Sequence, residues 1–265
     1  MHLHRAITSA LCLALFAAPA LAKKSAAKAD GSKSSKHASS GGAATGLVDH
    51  HLGCDLSAKG ITLEPWTSAG VGDVSTSVKA KFKSLGTIRD AADFARFRKL
   101  CPKLPDKVSR FVSGPWLGTM SSASLIVATE DVQVHRAYST PANGTCGTKS
   151  QSGEFGSWWS VMPLPAASGR EEYRRKMAVC SSWNDFKMKV TCTLKKGSVI
   201  AVGPTQSMDC TADNHAKEKV PNCAATAKGW KDKHPANGNH QVFINLFGRD
   251  AERGAFLTGC TSGAW

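Results

Sequence analysis

The chain reads as an α+β protein, a helical N-terminal part followed by a disulfide-stapled, mostly-β half. Three observations predict this. Apolar residues over 76–101 recur at three- and four-residue intervals, the spacing of one helix face. From residue 132 onward, short β-branched or aromatic runs are bounded by Gly, Pro or Asn, the marks of strands. Eight cysteines, an even number, remain once a leader is set aside, and six of them fall in the same region.

The leader comes first. His2, His4 and Arg5 precede an apolar run from Ala6 to Ala18, and Ala20-Leu21-Ala22 supplies a small-x-small cleavage pattern. The run is shorter than the ~20 apolar residues of a membrane helix, and no later stretch reaches that length. Residues 1–22 therefore read as a secretory signal, and the mature protein is expected to be secreted, extracellular or periplasmic, without a membrane span. Residues 23–48 are Lys, Ser, Ala and Gly with almost nothing to bury, and read as a disordered basic linker. Residues 49–265 fit one domain, with a mainly helical part over 49–129 and a β-rich part over 130–265.

The whole chain carries a formal charge of +14, which becomes +13 without Arg5. That favours anionic surfaces, through the basic tail above all, but names no chemistry. Cys12 leaves with the leader. Cys54, Cys101, Cys146, Cys180, Cys192, Cys210, Cys223 and Cys260 remain, enough for four bridges and 105 pairings. Cys180 with Cys192, and Cys210 with Cys223, are the local staples the spacing suggests. No C-x-x-C occurs, so no metal site is assigned.

Taken in order, "TSVKAKFKSLGTIRDAADFARFRKLC" (76–101) is expected to be helical, with a break at Gly86. "SASLIVAT" (122–129) is apolar and of open type. "DVQVHRAYS" alternates Val132, Val134 and Arg136 on one face, the period of a strand. "SGREEYRRKMAVC" (168–180) places Ser168 as a cap with Glu171 three residues on. Strands are expected at 186–194, 198–203 and 240–248. Between the last two lie 36 mostly polar residues, 204–239, containing one cysteine pair.

Four features could carry chemistry. They are "VHRAYS" with His135, Arg136 and Tyr138; "GEFGSWWSVMPLP" with Ser157, Trp158, Trp159 and Ser160; "LKKGSVIAVGPTQS" with Gln206; and "NGNHQVFIN" with Gln241. An arginine at a strand end offers a fork for phosphate. Tryptophan faces stack on an aromatic base or a pyridinium ring. Serines and a facing amide can orient ribose hydroxyls. Together these suit a dinucleotide with a cationic leaving ring, namely NAD, as substrate and with no cofactor.

Arginine on a first strand, an aromatic-serine strand and a late strand with a polar residue resemble the ADP-ribosyltransferase fold. "GSVIAVGPTQS" and "NGNHQVFI" look closest to its NAD-glycohydrolase branch, the tuberculosis necrotizing toxin type, over about residues 130–247. The resemblance implies that Arg136 grips the NAD phosphates and that the "SWWS" strand holds the nicotinamide side, with Ser157 or Ser160 at the family's serine. It implies Gln241 at the catalytic position, with Gln206 competing. Transferases carry Glu-x-Glu or Gln-x-Glu there, whereas Asn239-His240-Gln241 has no carboxylate, which tilts the expectation from protein modification toward NAD hydrolysis. A toxin or effector of this type would have an acceptor protein or an immunity protein as partner.

Each feature alone also fits an ordinary role. Arg136 fits a solvated strand face, and the Trp pair fits a core, since strand neighbours point to opposite faces. His135, His215, His234 and His240 have the residue type of a general-base set, but with no paired carboxylate spacing each fits a surface. Two other functions stay open: a non-catalytic basic module binding anionic envelope or glycan, and a secreted ribonuclease. The first needs tryptophans spread over an exposed basic face. The second needs two histidines, or a histidine and a carboxylate, facing each other across a groove.

Overall fold

The computed structural model describes residues 46–67, 71–106, 108, 120–139, 154–179, 184–205, 208–209, 233–234, 238–246 and 249–265. Cys146, Cys180, Cys210, Cys223, Gln206 and His215, the expected leader, and the expected linker up to residue 45 lie outside these.

Strands dominate. A six-stranded sheet runs in the order β1 (Glu64–Pro65), β2 (Phe82–Ile88), β3 (Ala123–Ala128), β7 (Val199–Pro204), β10 (His240–Phe243) and β5 (Trp158–Trp159). A second sheet of three strands holds β4 (Val132–Tyr138) between Ser160 and β6 (Met188–Leu194), with β11 (Leu257–Ala264) beyond β6. β8 (Met208–Asp209) pairs separately with β9 (Lys233–His234). All pairings are antiparallel. The two larger sheets meet where His135 and Ser160 exchange backbone hydrogen bonds, each 2.8 Å.

Both faces of the large sheet are buried. One packs on the three-stranded sheet through Phe82, Ile126, Val134, Trp159, Cys192, Ile200 and Val242. The other is covered by α2 (Ala91–Leu100) and by the segment around Leu52 and Leu56. Alternation along β3 and β7 sends Ile126 and Ile200 to the first core and Leu125 and Ala201 to the second. A strand buried on both sides reads as a continuous apolar run, which is why "SASLIVAT" carried no periodicity.

The N-terminal part is less helical than its spacing suggests. Within 76–101, α1 is the single turn Thr76–Lys79 and α2 covers Ala91–Leu100, but 82–88 is a strand. A bulge between Ser84 and Gly86 inserts one residue into the ladder with β3. The bulge reverses the alternation, so Phe82 enters one core and Ile88 the other, and the apolar positions fall three apart as they would on a helix. Gly86 has φ +134°, and a Cβ there would meet the Phe97 ring of α2 at 2.6 Å. The glycine marks close helix–strand packing instead of a helix break. β2 and β3 continue the sheet that contains β7 and β10, so residues 49–129 are not a helical subdomain.

The helix expected at 168–180 is α3, Arg170–Lys176, preceded by a 3₁₀ turn at Ala167–Gly169. Gly169 occupies the N-cap, and no side chain caps the helix, so the Ser168 box does not form. Two disulfides are present among the described residues. Cys54–Cys101 ties the N-terminal segment to the end of α2, and Cys192–Cys260 links β6 to β11. The second replaces the expected Cys180–Cys192 pairing. α4 (Arg253–Phe256) leads directly into β11. No helix among the described residues is long and apolar enough to cross a membrane.

Candidate functional site

The strands expected to carry the site are neighbours. Arg136 lies on β4, Ser160 follows β5 and bridges to β4 through His135, and Gln241 lies on β10, which pairs with β5. Val242 opposes Trp159 and Phe243 opposes Trp158. Strand pairing and the His135–Ser160 bridge thus set side by side three segments from the two sheets, with Arg136 and Gln241 105 positions apart (241 − 136) in the sequence.

Arg136 points inward beside Val134 and Tyr138 and is 3% exposed. Its Nη1 donates to the Trp158 carbonyl oxygen at 2.7 Å, tying β4 to β5. Burial lowers its pKa from 12.5 to about 10, while Tyr173 and Tyr138 act in the opposite sense. At neutral pH the guanidinium stays charged. Burial raises the Tyr173 phenol above its ordinary value, partly offset by Arg136. Tyr138 is a core residue. The His135 ring faces Thr191, its Nδ1 lying 3.0 Å from the threonine hydroxyl, and burial lowers its pKa.

The tryptophan pair splits as strand alternation requires. Trp159 is fully buried, and its indole N–H donates to the Gly156 carbonyl at 2.7 Å. Trp158 is half-buried and meets the Phe243 ring edge-on at 5.4 Å between centroids. The Ser157 carbonyl accepts from the Ile244 amide at 2.9 Å, so Ser157 serves the sheet with its backbone. The Gln241 amide nitrogen donates to the Met177 carbonyl just beyond α3, and the residue is buried.

Ser160 is joined to His240, one of the histidines expected at the surface, and through it to Asp73, which the sequence did not single out. The serine Oγ lies 2.9 Å from Nε2 of His240, whose Nδ1 lies 2.8 Å from Oδ2 of Asp73. Asp73 also accepts the His240 backbone N–H through Oδ1 at 2.8 Å. Burial raises the Asp73 pKa, but hydrogen bonds from His240 outweigh it and hold the carboxyl below its ordinary value. His240 is buried, in contrast to the expected surface role, and so is His135. Asp73 carries no local signal. It sits 167 positions from its partner, in the part of the chain expected to be a separate helical region.

A second carboxylate clasp lies nearby in sequence. Asp49 accepts backbone N–H groups from His51, Leu52, Cys54 and Val199. His51 is fully buried, with Nδ1 on the Val199 carbonyl and Nε2 accepting the Asn245 amide at 2.9 Å. Burial lowers its pKa from 6.5 to about 4, against raising contributions from Val199 and Asp49. These bonds hold the N-terminal segment to β7 and to the chain after β10.

Among the described residues, no group of three or more His, Cys, Asp or Glu could hold a metal ion. No protein-family model, curated protein or solved structure matches the chain.

Proposed function

We propose that the protein is an exported NAD-consuming effector that cleaves the glycosidic bond between nicotinamide and ribose. The observation that carries this is the adjacency of the strands bearing Arg136, Trp158–Ser160 and Gln241, cross-linked by the Arg136–Trp158 and Ser160–His240 hydrogen bonds. Three sequence-distant segments with the residue types for one substrate meet where the His135–Ser160 bridge joins the two sheets.

In this reaction the C1′–N bond breaks, neutral nicotinamide leaves with the bonding pair, and water adds to the oxocarbenium-like carbon, releasing a proton. Such a step needs orientation and electrostatic support more than a strong base. Arg136 is sequestered, so it supports anionic phosphates as a charge beneath β5 and by holding that strand, instead of as an open fork. Trp158 is the half-buried member of the pair and the one with ring surface to offer. Gln241, anchored on Met177, would fix the late strand against α3. With no carboxylate in Asn239-His240-Gln241, hydrolysis is preferred over transfer to an acceptor protein.

The competing functions have less support among the described residues. Among the described residues Trp66, Trp159 and Trp265 are buried, Trp158 is half-buried and Val48 is the one exposed large hydrophobic residue, while Trp116, Trp183 and Trp230 lie outside them. The four described tryptophans do not form an adhesive face. His135 turns to Thr191, and His240 is buried with Asp73 and Ser160 bonded directly to its two ring nitrogens, so neither histidine faces a histidine or a carboxylate across an open groove.

The test is nicotinamide release from NAD by the purified, oxidised mature protein, with Arg136→Lys and Gln241→Ala alongside. Turnover that falls at least tenfold in both folded variants is expected. No release by folded wild-type protein would end the NAD reading, and addition of cell lysate would reveal any transfer to protein.

A further inference from the structure

Asp73, His240 and Ser160 form an unbroken hydrogen-bonded line, and the protons along it can be placed. The Val161 backbone N–H donates to His240 Nε2 at 3.2 Å, so Nε2 carries a lone pair and the ring proton sits on Nδ1. Nδ1–H then donates to Asp73. The Ser160 hydroxyl accepts the Met162 N–H at 2.9 Å, and its own proton lies between His240 Nε2 and the Met162 carbonyl, 2.6 Å away.

The order carboxylate, imidazole, hydroxyl is that of an activated serine nucleophile. Two features close that use. Ser160 is 1% exposed, and the backbone N–H groups following it, Val161 and Met162, are already spent on Nε2 and Oγ. The neighbouring amides that could stabilise an oxyanion at this serine are therefore engaged.

What the line does reach is the junction of the site strands. The Ser160 backbone exchanges both hydrogen bonds with His135 on β4, while its side chain meets His240 at the start of β10. One residue thus sets the spacing between the strand of Arg136 and the strand of Gln241. Asp73 secures the far end, and the Gly72 N–H donates to the Gly238 carbonyl at 3.1 Å beside it. We propose that Asp73 and His240 are positioning residues that act through Ser160 to hold the β4–β5–β10 junction in its working geometry, a role that rests on the NAD reading.

The decisive variant is Asp73→Asn. If its amide N–H₂ faces Nδ1, the ring proton moves to Nε2, where it meets the Val161 N–H donor against donor. If the amide is turned round, the His240 backbone N–H loses its acceptor. Either way the line breaks with little change in volume.

The experiment combines NAD turnover with ¹⁵N NMR of the histidine rings in the oxidised mature protein. The expected wild-type signature is a neutral, Nδ1-protonated His240. In Asp73→Asn, kcat should fall on the order of 100-fold, as for a displacement near 1 Å, with KM within about twofold. Ser160→Ala should fall likewise, and Ser160→Thr, which keeps the hydroxyl, should recover most of the loss. If Asp73→Asn does not fold, the Ser160 pair decides. Wild-type kcat in Asp73→Asn or Ser160→Ala, or Nε2-protonated His240 in the wild type, would overturn the relay. Labelling of Ser160 by a fluorophosphonate would overturn it in favour of a nucleophile. A wild type with Nδ1-protonated His240 and no nicotinamide release would overturn the NAD reading alone, leaving the bonded line in place.

Discussion

His240 and Asp73 are joined twice, the backbone N–H to Oδ1 and the ring Nδ1 to Oδ2, each at 2.8 Å, across 167 positions of sequence. A carboxylate held this way satisfies both the main chain and the side chain at the entry to β10. Replacing it by alanine leaves a buried N–H and a buried imidazole nitrogen without their acceptor. Asp73→Ala should therefore lower stability by about 1–3 kcal/mol, read as a shifted urea midpoint at unchanged slope.

Acid should weaken the fold before the carboxylates titrate. His51 takes up a proton near pH 6.5 when unfolded but only near about 4 when folded. Between these values the unfolded chain binds more protons, so stability is fully present above 6.5 and is lost as pH falls toward 4. The span corresponds to about 3 kcal/mol at most. His135, also lowered by burial, acts in the same direction. Urea midpoints measured across this range should decline for the wild type and decline less steeply for His51→Gln. An equal slope in the variant would place the effect elsewhere.

Two glycines should respond oppositely to alanine. Gly86→Ala forces a Cβ into Phe97 at a positive φ and should destabilise by about 1–3 kcal/mol. Gly254 has nothing within 4 Å of a Cβ and lies in α4, so Gly254→Ala should be neutral or slightly stabilising, by up to about 1 kcal/mol. Thermal melts of the pair test the β2 bulge directly.

The two tryptophans of "GSWWS" should separate stability from substrate binding. Trp159→Ala empties a core position and should cost about 3–5 kcal/mol. Trp158→Ala, half-buried, should cost less and raise KM for NAD instead. Chemical denaturation alongside turnover measures both.

Loss of the Cys192–Cys260 bridge should be felt globally. The bridge closes 68 residues between β6 and β11, so the double change to serine should cost about 2–5 kcal/mol. Comparison of melting temperatures with the wild type under oxidising conditions measures it.

Much of the β-rich half was legible in the sequence because its strands obey local rules. Alternation gave β4, and bounded β-branched runs gave β6 and β7 to within two residues. β10 stopped at Phe243, earlier than the apolar run continues, because the Ile244 amide turns to the Ser157 carbonyl. β2 was misread because a bulge imitates helical spacing, and a bulge is a property of the pairing, not of the strand. Arg136, Ser160 and Gln241 were visible as residue types. Their burial was not, since nothing local distinguishes an inward arginine from an outward one. Asp73 had no pattern around it at all. Its importance comes from a contact made only when the chain has closed on itself.

The carboxylates of Asp49 and Asp73, together with β2 and β3, have a practical consequence for anyone dividing this protein. A fragment beginning at residue 130 would retain Arg136, Ser160 and Gln241, yet would lose β3, one of the two neighbours of β7 in the sheet, with β2 and β1 beyond it, and both acidic anchors at its edges. It would expose one whole face of β7 and β10 to water. The β-rich half is not a portable module, and grafting or expressing it alone should yield aggregate.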